Sequence, residues 1–84
     1  MPGLTLVEGA HEPLVVAEIE RGMRGVVRFA IATYRGRSYL DIRLWSELEL
    51  GQGYVPTRRG VTLPLESAAE LERAVAALAK AARR

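Results

Sequence analysis

Two alternating runs flank one dipeptide, Arg35-Gly36, and no other feature constrains the chain as tightly. Folding residues 26–34 back on residues 37–45 through a two-residue loop sets Val27 against Leu44, Phe29 against Ile42, Ile31 against Leu40 and Thr33 against Ser38. The opposite face then pairs Val26 with Trp45, Arg28 with Arg43, Ala30 with Asp41, Ala32 with Tyr39 and Tyr34 with Arg37. Side chains alternate along a strand with period two, so the favoured register is the one that sorts apolar residues from basic and aromatic ones. A three-residue loop sets Arg28 against Leu44 and Ala30 against Ile42, which mixes the faces. Gly36 supplies the positive φ that a two-residue loop requires.

The remaining elements are read outward from this hairpin. Leu14 to Glu20 alternates as a preceding strand, with Val15, Ala17 and Ile19 on one face and Val16, Glu18 and Glu20 on the other. Arg21 to Gly25 is the turn between them. After the hairpin, Leu48 and Leu50 alternate with Glu47 and Glu49, which predicts an outward ribbon before Gly51-Gln52-Gly53 turns the chain. Tyr54 to Leu65 is a fourth strand. Pro56 cannot donate to a ladder, which places it at an edge or a bulge, and Gly60 marks a second irregularity.

Ser67 to Ala82 reads as a helix, with Leu71, Val75, Leu78 and Ala82 on a single stripe. Ser67 and Glu70 have the spacing of a capping box. The fold class is therefore α+β: a four-stranded curved antiparallel sheet followed by one C-terminal helix, β-β-β-β-α. Residues 1–12 are expected as a flexible N-terminal tail or a short added strand, and residues 13–84 as the domain. One helix covers only part of such a sheet, and its alanine-rich surface admits a close neighbour. A homodimer is the expected arrangement.

A chain of 84 residues makes one domain and buries about 60% of its unfolded surface. It has no cysteine, which removes disulfides and thiolate metal sites and suits a reducing compartment. No apolar run approaches the ~20 residues of a membrane span, and the first residues lack a signal-peptide pattern. A cytoplasmic location follows, nucleoid-associated in a bacterium. The net charge of +2 conceals an asymmetry: residues 1–20 hold four glutamates and no Lys or Arg, whereas residues 21–45 hold six arginines and one aspartate. Cations concentrated on one hairpin point to a polyanionic partner.

The stretch RGRSYLDIRLW, followed by VPTRRGVTLPL and a helix, resembles the transcriptional positive cofactor 4 family, small single-stranded-DNA-binding coactivator domains with bacterial members. The likeness is strongest from Tyr34 to Leu65 and extends from about Pro13 to Ala79. The resemblance implies a homodimer and nucleic-acid contacts at Tyr34, Arg35 and Arg37 in the turn, Arg43 after Asp41-Ile42, and Arg59 before Gly60. The chain departs from the pattern where many relatives have two consecutive aromatics, since Trp45 is followed by Ser46. Val55 stands where relatives often place a lysine.

The residues themselves support the same chemistry. Unpaired strands are held by cations along the backbone and by aromatic faces on which bases stack. Arg28, Tyr34, Arg37, Tyr39, Arg43 and Trp45 share the polar face of the hairpin, Arg35 sits at its turn, and Arg58 and Arg59 follow on the next strand. Two placements stay open for Trp45, stacked on bases or buried in a core or dimer interface. Arg58 and Arg59 also suit the blunting of an edge strand. Asp41, alone among arginines, is expected to organise Arg28 or Arg43.

Catalysis finds no support. His11 has no nucleophile nearby in sequence, the serines have no attendant histidine, and no phosphate-binding glycine loop is present. The expected function is a non-catalytic, homodimeric single-stranded-DNA-binding transcription cofactor without metal or cofactor. Its partners are single-stranded DNA, a second copy of itself and the transcription machinery, with no membrane. RNA at the same site and a protein-protein interaction module are the alternatives.

Overall fold

The computed structural model describes residues 4–6 and 13–84. Five strands, β1 (Leu4–Leu6), β2 (Leu14–Gly22), β3 (Gly25–Tyr34), β4 (Arg37–Glu47) and β5 (Tyr54–Pro64), form one sheet. A short 3-10 turn (Leu65–Ser67) leads into the helix α1 (Ala68–Ala82). The sheet is a meander in the order β1-β2-β3-β4-β5, with each pair antiparallel. The expected four strands and helix are present. β1 adds a fifth strand of three residues, where the sequence allowed a short added one. The rest of the expected tail, residues 1–3 and 7–12, lies outside the described residues.

The central hairpin adopts the two-residue register at every pair, from Val26 opposite Trp45 to Tyr34 opposite Arg37. Arg35 and Gly36 both occupy the left-handed region, at φ 52° and 77°. That backbone twist matches the right-handed twist of the flanking strands, whereas an ordinary turn would splay them. The preceding hairpin turns through Met23 and Arg24, at φ 25° and 59°, a conformation unusual for residues with a Cβ. The Arg24 carbonyl accepts a hydrogen bond from the Glu47 N–H at 3.0 Å, tying this turn to the end of β4.

Three details depart from the expected layout. In β2 the register shifts between Val15 and Ala17, so Val15 lies opposite Ala30 and Leu14 opposite Ile31. Val16 is the extra residue, and the bulge moves Val15 off the face it was expected to share with Ala17 and Ile19. The outward ribbon ends at Glu47. The chain turns there instead, with the Gly51 N–H donating to the Glu47 carboxylate at 2.9 Å and Leu48 and Leu50 left exposed. Finally, Ser67 makes no capping hydrogen bond. It closes the 3-10 turn, in which the Ala68 N–H donates to the Leu65 carbonyl.

The apolar interior is thin. Among the described residues the buried hydrophobic side chains are Val26 and Ala30, both on the basic-aromatic face, opposite Trp45 and Asp41. The other face, with Val27, Phe29, Ile31, Leu40, Ile42 and Leu44, is only half-buried. No residue of α1 is buried, and Val75 and Leu78 are 47% and 70% exposed.

Candidate nucleic-acid interface

The register of β3 on β4 brings Arg28, Tyr39, Arg43 and Trp45 to one face, with Tyr34 and Arg37 at its tip. β5 extends this face: Pro64 lies opposite Tyr39, Thr62 opposite Asp41, Gly60 opposite Arg43, Pro56 opposite Trp45 and Tyr54 opposite Glu47. Between Gly60 and Pro56 three residues of β5 face one of β4, Leu44, which makes the bulge that Pro56 and Gly60 announce. The Thr57 hydroxyl donates to the Leu44 carbonyl at 2.8 Å and accepts from the Arg59 N–H at 3.1 Å. The bulge is thus hydrogen-bonded shut rather than frayed. Arg58 and Arg59 are exposed on it, at the edge of the sheet.

The arginines fall into two kinds. Arg43 is clamped: its Nε donates to both Asp41 oxygens at 3.2 Å, and Nη2 donates to Asp41 Oδ1 at 2.8 Å. Its Nη1 donates to the Thr57 carbonyl at 3.0 Å and Nη2 reaches Thr62 Oγ1 at 3.2 Å, while the Thr62 hydroxyl donates to Asp41 Oδ1 at 3.0 Å. The hydrogen bond to Asp41 holds the guanidinium above its ordinary range, against a smaller desolvation effect and with the Asp41 charge adding to it. Because the folded-state value is raised, this contribution to stability is present through neutral pH and fades as pH rises into the guanidinium range. Of the two roles open to Asp41, the structure selects organiser of Arg43, which in turn staples the bulge of β5 to β4.

Removing the charge of Asp41 tests that role. Asp41→Asn is expected to lower stability by about 2 kcal/mol in denaturant unfolding, the scale of hydrogen bonds to charged groups. A loss below a few tenths would mean that the bulge is held by the Thr57 bond alone.

Arg28 is the second tied cation. Its Nε donates to Glu18 Oε2 at 2.9 Å across the β2–β3 pair, where Glu18 lies directly opposite. Its guanidinium carbon stands 4.6 Å from the Trp45 ring centroid and 5.5 Å from that of Tyr54. Trp45 is half-buried on the sheet face, and its indole N–H is buried with no hydrogen-bond partner among the described residues. Arg35, Arg37, Arg58 and Arg59 differ: among the described residues none of their guanidinium groups has an ion-pair partner. Arg35 rests 5.3 Å from the Tyr34 ring centroid at the exposed tip. Arg59 and Arg21 border an open recess of about 320 Å³ whose apolar lining is Val27, Ile42, Leu44 and Val61.

The sequence singled out neither Tyr54 nor Glu18 for this site. Tyr54 joins the face once Pro56 is placed opposite Trp45, two residues further along the same edge strand. Glu18 could be read from its alternation with Ala17 and Ile19, since a carboxylate facing a strand rich in arginine will find one. A groove of about 440 Å³ beyond Tyr39, lined by Arg37, Ser38, Pro64, Leu65 and Glu66, continues the face toward the helix.

An open antiparallel meander that gathers arginine and aromatic side chains on one face, followed by a single helix, defines a sheet-platform domain. The chain belongs to the family described as Transcriptional Coactivator p15 (PC4), whose model matches residues 24–74. Among solved structures it is similar to a PC4 homolog from Burkholderia pseudomallei. In the tetragonal crystal form of that protein the identity is 26% and the TM-score 0.73, with 81% of this chain and 98% of that one covered. The orthorhombic form gives 24% and 0.72, with 86% and 96% covered. No curated protein sequence matches the chain. Among the described residues, no helix is long and apolar enough to cross a membrane.

Proposed function

We propose that the chain is a homodimeric, non-catalytic transcription cofactor that binds single-stranded DNA on the basic-aromatic face of its sheet. The observation that carries this reading is the joint placement of Arg28, Trp45 and Tyr54 in one stack, with arginines at the hairpin tip and on the β5 bulge that have no ion-pair partner among the described residues. Stacking on an aromatic face is worth roughly 1–3 kcal/mol per base and requires bases that are not already paired, which favours single strands over duplex. Arg35, Arg37, Arg58 and Arg59 supply the phosphate contacts, each as a planar donor fork suited to two oxygens. Tyr34 and Tyr39 extend the stacking surface toward the tip. Arg43 acts mainly by holding β5 in register, because its donors are already engaged within the sheet.

Membership of the PC4 family supports this reading, and so does the unpartnered apolar stripe of α1, which a second copy would cover. The mechanism is capture and stacking, with no bond made or broken. Its place is where transcription exposes melted DNA.

Fluorescence anisotropy with a labelled ~20-nucleotide oligo-dT, the matching RNA and a duplex, each across a salt series, tests the proposal. Tight, salt-sensitive binding to the single strand and weaker binding to duplex is the expected result. The double variant R35A/R37A removes two phosphate contacts. It is expected to reduce the slope of log K against log salt by about 1.4, at ~0.7 per contact on single strands. No binding by the wild type at low salt would overturn the reading.

A further inference from the structure

We propose that Glu18 is an internal competitor for the phosphate that Arg28 binds, and that Arg28 is a displaceable cover on the Trp45 stacking face. This inference rests on the single-strand reading above and deepens it. A carboxylate presents the same paired oxygen acceptors to a guanidinium as a phosphate does. In the free protein Glu18 takes that position, at 2.9 Å from Arg28 Nε, and cancels the charge that the platform otherwise offers. The same guanidinium lies over Trp45 at 4.6 Å, where a base has to stack.

Magnitudes decide whether such a cover can move. The Glu18 and Arg28 side chains keep 25% and 23% of their exposure, so the pair is neither fully solvated nor locked in the interior. A pair this near the surface typically contributes no more than about fivefold to an equilibrium constant, and a cation over an aromatic face contributes a similar amount. A stacked base returns as much or more on the same ring. Exchange is therefore favourable when a strand arrives: phosphate replaces Glu18 on Arg28, and a base replaces the guanidinium on Trp45.

Such a competitor sets affinity rather than abolishing it. It gives the platform a threshold, so that isolated phosphates and small anions do not engage Arg28. A strand does, because it offers a base and a phosphate together.

Glu18→Gln tests the competitor directly, since it keeps the side-chain volume and removes the charge. Two measurements are needed: oligo-dT affinity, and acrylamide quenching of Trp45 in the free protein. Trp45 is the sole tryptophan of the chain, so the quenching reports this ring alone. The variant is expected to bind oligo-dT about fivefold more tightly, the scale set by one partly exposed ion pair. Its tryptophan should be more quenchable, because Arg28 is no longer tethered over the ring. In an Arg28→Gln background, E18Q should change neither quantity, as a coupled pair requires.

Binding by the wild type with unchanged or weaker affinity in E18Q would overturn the competitor while leaving the single-strand reading intact. No binding by the wild type at all would overturn both. Unchanged quenching in E18Q would show that Glu18 does not hold the cover in place, and would overturn the cover whatever the affinities.

Discussion

Gly60→Ala will destabilise the domain by about 3 kcal/mol, at the upper end of overpacking substitutions. A Cβ added at this position meets the Ile42 carbonyl oxygen at 2.5 Å, the Arg43 Cα at 2.8 Å and the Arg43 Cβ at 2.9 Å. Two of these atoms are backbone of the paired strand, so no rotamer change relieves the clash and β5 has to withdraw from β4. Gly60 lies opposite Arg43, and the withdrawal also breaks the bonds from the guanidinium to Thr57 and Thr62. For a domain of this size, 3 kcal/mol corresponds to a fall of roughly 12–24 °C in Tm. Gly51→Asn is the control: Gly51 has positive φ but nothing within 4 Å of an added Cβ, and asparagine tolerates that backbone. It should stay within about 1 kcal/mol of wild type. A Gly60→Ala melt within ~4 °C of wild type would mean that β5 can move away from Arg43 without loss.

The contrast between the two hairpin strands and β5 shows what the sequence could and could not reveal. The β3–β4 register was legible because it depends on local facts: the loop is two residues, Gly36 permits the turn, and only one alignment sorts the faces. The β5 bulge was legible as an irregularity, from Pro56 and Gly60, but its content was not. Which of Thr57, Arg58 and Arg59 loops out depends on the Thr57 hydroxyl reaching the Leu44 carbonyl, a bond between residues 13 apart that no local pattern encodes. The Val16 bulge in β2 is similar, because strict alternation across Val15, Ala17 and Ile19 gave no sign of an extra residue. The expected capping box failed for a different reason. Ser67 and Glu70 have the spacing, but Ser67 is itself wound into the 3-10 turn, at φ −83° and ψ 4°, and lacks the extended backbone that an N-cap adopts.

The site shows the same division. Residues that share a strand face were found by counting, whereas the state of each arginine was not. Arg28 and Arg43 sit opposite one another in the register, and sequence treats them as equivalent. The structure separates them by their carboxylates. Asp41 lies two residues from Arg43 on the same strand and face, and clamps it into the β4–β5 seam. Glu18 comes from a neighbouring strand and holds Arg28 by a single donor over an aromatic ring. One arginine is built into the platform, and the other is poised on it.

Leu78→Glu is expected to have the second large effect, and it decides whether the proposed dimer exists. In an isolated protomer Leu78 is 70% exposed, so a polar substitution there should change stability by no more than about 0.5 kcal/mol. In a dimer with two-fold symmetry the same residue lies in the interface of both copies, and the change is made twice. Losing a buried leucine costs about 1.5–3 kcal/mol for each copy. An unpaired carboxylate in an apolar contact adds to that. The two readings therefore differ by an order of magnitude in one experiment. The physical case for the dimer is the shortage of core: Val26 and Ala30 are the buried hydrophobic side chains among the described residues, and α1 buries none. A two-turn stripe of Leu71, Val75 and Leu78 and a half-open apolar sheet face are what one protomer offers another. The wild type should sediment as a dimer and melt at a temperature that rises with protein concentration, as linked folding and association require. L78E should sediment as a monomer and melt far lower. A monomeric wild type with a concentration-independent melt, matched by L78E, would remove the dimer and require the sheet to be stable as a single layer.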